Sequence, residues 1–129
     1  MRTFFYIIFL STFSVFYLKA SDFNETVLFC NWKPSVNLPE RMKVFGLIFG
    51  ESQVEMLGID GQGEVRGSDL GFYTVDATNL SWEGAPLFGR NMINRETLTD
   101  KEGILLCERS QNSASLKLQL EKQGKDLKR

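Results

Sequence analysis

The chain has no histidine. That excludes Ser-His-Asp and Cys-His nucleophilic systems and every zinc site built on imidazole. Its only cysteines, Cys30 and Cys107, are too few to hold a metal alone. Proline is scarce, and Pro34 and Pro39 fall together in one break rather than inside a strand pattern. Neither sign of charge dominates, with 15 basic residues against 16 acidic ones. No basic face of the kind nucleic acids require is legible, so no nucleic-acid partner is expected. Phosphate-cradling loops are missing as well. Gly58, Gly61 and Gly63 stand in a strand and a turn with no helix after them, which supports no nucleotide site. After residue 20 there is no further apolar run of membrane length.

What is present begins with the N-terminal run. Arg2 gives a short positive start, Phe4 to Phe16 form an apolar stretch, and Ala20 offers a small residue before Ser21. That is the pattern of an export signal over residues 1–20. The run Phe4 to Leu18 is shorter than the ~20 residues a spanning helix needs, so cleavage near Ser21 is expected. The other reading is a retained anchor. Losing Arg2 and Lys19 leaves 13 basic against 16 acidic residues, a net charge of about −3. The remainder has the length of one domain. A periplasmic or secreted location follows, and in an oxidising compartment two cysteines read as one disulfide, Cys30–Cys107. The alternative is a pair of buried thiols. The closed loop, about 77 residues, is worth roughly 4.5 kcal/mol in the chain-entropy model.

Short strands fill residues 21–110. Glu25 to Trp32 is apolar on both alternating sets, which predicts a strand covered on both faces. Lys33 to Pro39 breaks it. Further strands are expected at Arg41 to Phe49, Gln53 to Ile59, Gly71 to Asp76, Leu80 to Trp82, Phe88 to Asn94, Leu98-Thr99, and from Gly103 to Cys107. Asp60-Gly61 between two of them supplies a hairpin turn. Turn signals recurring at short spacing point to an all-β sandwich or barrel. The tail, residues 111–129, changes character. Leu116 and Leu120 share a helix face, Ser113 or Ser115 is placed to cap it, and Gly124 weakens its last turn. The expected fold is therefore mainly β. It is an antiparallel meander closing into a small barrel or sandwich, with a short, partly frayed C-terminal helix. The first and last strands lie side by side, tied by Cys30 and Cys107.

The stretch Met92 to Cys107 holds the clearest turn, Asn94-Arg95-Glu96-Thr97-Leu98, followed by the apolar Ile104 to Leu106. Asn94 and Thr97 suit a turn because their side chains bond nearby backbone. With the Leu80-Ser81-Trp82 strand and the late Cys107, this stretch resembles small exported bacterial proteins of unknown function. The resemblance implies a β meander in the bacterial envelope and carries no activity. In size and topology alone the chain is also similar to the C-type lysozyme inhibitors. That family's Ser-Ala-Ser-Gly loop is absent, since Ser113-Ala114-Ser115 lies in the tail without the glycine.

Among candidate functional residues, Asp69, Asp76 and Glu83 are the carboxylates available for acid–base chemistry, as in glycoside hydrolysis. No spacing marks them as a pair, and turn positions explain them as well. Asp60-Gly61-Gln62-Gly63-Glu64 lacks the oxygen density of a calcium loop. Asn24 and Asn79 begin glycosylation-type triplets. Trp82, Tyr73 and Phe88, flanked by Arg90 and Arg95, read either as core or as a binding surface. The functional expectation is a monomeric, non-catalytic binding module of the envelope that uses no cofactor or metal. It would act as a protein inhibitor or a ligand carrier, its partner a protein or small ligand. A small Asp/Glu-dependent hydrolase and a structural envelope protein are the alternatives.

Overall fold

A computed structural model describes residues 23–83 and 91–127. The expected export signal, Phe88 and Arg90 lie outside the described residues. The chain forms β1 (Val27–Trp32), β2 (Val44–Phe49), β3 (Gln53–Ile59), β4 (Val65–Val75), β5 (Asn79–Trp82), β6 (Met92–Asn94), β7 (Leu105–Arg109) and the helix α1 (Ser113–Leu127). All ladders are antiparallel, in the order β6-β5-β4-β3-β2-β1-β7. The mainly β expectation holds. The sheet is a curled half-barrel with one C-terminal helix.

β1 explains the arrangement. Leu28, Cys30 and Trp32 point into the concave side and join the main core. Val27 and Phe29 point the other way and pack beneath α1 with Leu116 and Leu120. A strand apolar on both sets is covered on both sides. Its partner β7 is in register, with Cys30 opposite Cys107, and the two form a disulfide with Cα atoms 4.0 Å apart. Cys107 sits in the middle of β7 rather than at its end.

The curl comes from β4. Val54 pairs with Gly71 and Glu55 with Asp69, so Leu70 is an extra residue. Gly71 takes φ 89°, which a residue without Cβ adopts at little cost. The Asp69 carboxylate accepts its N–H at 2.8 Å. The β3 ladder runs along β4 from Val65 across the bulge to Phe72, and Tyr73 to Val75 pair with β5. Bulges bend strands in this way. The strand also starts earlier than expected, at Val65 instead of Gly71: Arg66 to Asp69 are exposed and carry no apolar alternation, and the ladder to β3 holds them extended.

The tail differs most from expectation. α1 runs for 15 residues, and its cap is Asn112, whose carboxamide oxygen accepts the Ser115 N–H at 2.8 Å. Gly124 is buried within it. A Cβ there would lie 3.1 Å from the Gly63 carbonyl carbon and nearer still to its oxygen. The glycine lets the helix approach the β3–β4 turn rather than fraying its end. Among the described residues, no helix is long and apolar enough to cross a membrane.

Candidate functional site

The half-barrel stops one ladder short of closure. β6 and β7 are the outer strands of the sheet, and the chain between them only partly spans the gap. Leu98-Thr99 forms no strand. Thr99 makes an isolated bridge to Leu106, the Leu98 carbonyl accepts the Cys107 N–H at 2.9 Å, and Asp100 N–H reaches Leu105 at 3.3 Å. This short segment covers the outer edge of β7 and leaves β6 flanked by a cleft of about 480 Å³. Asn91, Met92, Ile93 and Asn94 form one wall, Thr97, Thr99, Asp100 and Lys101 the other, with Asn79 beside them.

Two side-chain-capped turns, at Asn94 and Asp100, shape the second wall. Asn94 accepts the N–H groups of Glu96 at 2.8 Å and Thr97 at 3.0 Å. Asp100, buried, accepts those of Ile104 at 2.9 Å and Leu105 at 3.1 Å. Leu98 closes the first turn at φ 61°, a left-handed conformation that a branched side chain adopts at a cost. Burial of its side chain in the main core fixes it there. The hydroxyls of Thr97 and Thr99 lie 3.1 Å apart.

The residues that read either as core or as a binding surface divide between the two. Trp82 and Tyr73 lie inside the sheet, 2% and 8% exposed. The Tyr73 hydroxyl donates to the Gly50 carbonyl at 2.6 Å, and burial raises its pKa. Arg95 donates to the Asp76 carbonyl at 2.9 Å and stands over the Phe23 ring, 5.8 Å from its centre. It belongs to the turn that builds the cleft, without lining it. Thus Arg95 is near the site, and the two aromatics belong to the main core.

The carboxylates are turn-makers. Asp76 accepts the N–H groups of Asn79 at 2.6 Å and Thr78 at 2.7 Å, which hold its pKa below the ordinary value. Asp60 accepts those of Glu64 and Gln62, each at 2.9 Å, and pairs with Arg66 at 3.0 Å. The bond from Glu64 is the main cause of its lowered pKa, followed by that from Arg66. Its oxygens are engaged within the hairpin rather than converging on a cation site. No group of three or more acidic or cysteine side chains among the described residues is placed to hold a metal ion.

Sequence reasoning singled out Asn94 and Thr97 as turn residues but not Asn79, Asn91, Thr99 or Lys101 as neighbours of one cleft. Isolated polar residues at strand ends carry no signal beyond solvation. Only the half-closed topology brings them together. Set against known proteins, the chain matches no family model, no curated protein and no solved structure.

Proposed function

We propose that this chain is an exported, non-catalytic binding module of the bacterial envelope that engages a protein partner. The observation that carries the reading is the contrast between a filled interior and an open cleft. The concave side of the sheet is packed with Leu28, Leu47, Phe49, Leu80, Trp82 and Leu105, each no more than 2% exposed. A carrier needs an enclosed apolar cavity, and these side chains occupy its place. An open cleft lies instead at the β6 edge, where asparagine, threonine, Asp100 and Lys101 line it together with the apolar Met92 and Ile93. Export is supported by the N-terminal run and by the disulfide, which suits an oxidising compartment.

The hydrolase alternative is weaker, because Asp69 and Asp76 are engaged by backbone N–H groups. A general acid requires a raised pKa, and that of Asp76 is lowered. The test is affinity capture from bacterial envelope extract on the immobilised, oxidised mature chain. A protein retained in stoichiometric amount is the expected result. Retention of small molecules alone, or release of hydrolysed envelope material, would overturn the reading.

A further inference from the structure

The cleft has an unusual wall. Asn91, Met92, Ile93 and Asn94 are consecutive, and all four line it. Successive side chains of a strand alternate between faces, so a space touched by each in turn runs along the strand's edge. The hydrogen bonds identify which edge. Trp82 N–H donates to the Asn91 carbonyl at 3.1 Å, so Asn91 faces β5. By antiparallel alternation Ile93 also faces β5, while Met92 and Asn94 direct their backbone groups away. Asn94 N–H confirms this by donating to the Thr99 carbonyl at 2.8 Å. The N–H and C=O of Met92 therefore face the cleft, and no bond to them from outside the β5 ladder is found among the described residues.

We infer that this cleft takes an extended peptide segment of a partner protein, which pairs with β6 as an added strand. The inference rests on the partner-binding reading above and names its mode. Exposed edges are templates for a further strand, and proteins use them in this way for recognition. β6 is short and Thr99 occupies its Asn94 end, but Met92 is 46% exposed and β6 carries neither proline nor charge, so the edge at Met92 stays open. Asn91, Asn79 and the Thr97 and Thr99 hydroxyls supply side-chain donors and acceptors that suit peptide groups. Two charged residues line the cleft: Asp100 is buried with its carboxylate engaged by the Ile104 and Leu105 N–H groups, and Lys101 is exposed and favours an acidic side chain in the occupant. The cleft volume falls within the roughly 300–1,000 Å³ of ligand sites. A saccharide would use the same amides and hydroxyls, but it would not require a strand edge.

The test selects 12-residue peptides from a random display library on the oxidised mature chain and measures the best of them as a synthetic peptide. Enrichment in Asp or Glu is expected, with new exchange protection at the Met92 amide. Met92→Pro removes the outward N–H at a position where an edge strand tolerates proline, and should weaken binding at least tenfold. The same peptide N-methylated at alternate residues should lose binding to the unaltered protein. That arm decides the matter even where Met92→Pro fails to fold. Failure to select any peptide, binding insensitive to N-methylation, or protection that maps to α1 overturns the inference. So does chitotetraose shifting the Met92 amide where peptides do not. Equal capture of an envelope protein by Met92→Pro and the unaltered chain would overturn the edge mode and leave the binding function standing.

Discussion

Gly124 separates local preference from tertiary demand. In an isolated helix alanine is favoured over glycine by about 1 kcal/mol. Here the added Cβ meets the Gly63 backbone, which cannot rotate aside as a side chain can. Overpacking of this kind costs about 1–3 kcal/mol, so Gly124→Ala should lower the urea midpoint despite its gain in propensity. Gly61→Ala is the control, since nothing lies within 4 Å of its Cβ, and its midpoint should hardly move. The exposed acids make a second prediction. Asp60 and Asp76 have folded pKa values below the ordinary 3.8, chiefly through backbone N–H donors. The stability they contribute is therefore present above pH 3.8 and lost as pH falls through the folded values. Carboxyl carbon titration by NMR should place both below 3.8. In Asp76→Asn the acid-side loss of stability should be smaller than in the unaltered chain. The turn roles of both residues were legible in Asp60-Gly61 and in Asp76 to Asn79, because such side chains bond backbone two residues ahead.

At the scale of elements, β1 and β7 were legible for different reasons. β1 is apolar on both sets and so had to be central; β7 was placed beside it by the cysteine. The first half of β4 was not legible. Its residues Arg66 to Asp69 are polar and exposed, and they extend as a strand because β3 offers a ladder, not because their own pattern asks for one. Leu98-Thr99 failed in the opposite sense: β-prone residues became a strained turn and a single bridge. The disulfide joins strands that already pair, across a sequence separation of 77. Its loss through Cys30→Ala with Cys107→Ala should lower stability by up to roughly 4.5 kcal/mol in the chain-entropy model. Order kept by the reduced chain would reduce that figure. Chemical denaturation of both forms measures the difference. The native oxidised protein should show no titratable thiol, since no free cysteine remains.

The whole molecule is a sheet with two apolar sides, one folded in on itself and one covered by α1. The spacing of Leu116 and Leu120 announced the helix but not what it covers, since a sequence does not show which strand face lacks a partner. Likewise the turn of the cleft was legible and the cleft was not, because Asn79 and Lys101 meet only after six strands have wound. The joint between helix and sheet is specific at one point. Leu116 is fully buried, and its side chain rests over Gly46 in β2, where an added Cβ would come within 2.8 Å of the leucine Cγ. Gly46 and Leu116 are thus complementary halves of one contact. Gly46→Ala alone should destabilise by about 1–3 kcal/mol through overpacking. Leu116→Ala alone should cost about 2–5 kcal/mol through lost burial and the cavity left behind. Combined, the new methyl enters space the leucine has vacated. The double variant should then be more stable than the sum of the singles implies, by a coupling of about 0.5–3 kcal/mol. Urea unfolding of the four proteins measures that term directly. Strict additivity would mean that α1 does not rest on β2 in solution, whereas positive coupling ties the tail to the sheet as one cooperative unit.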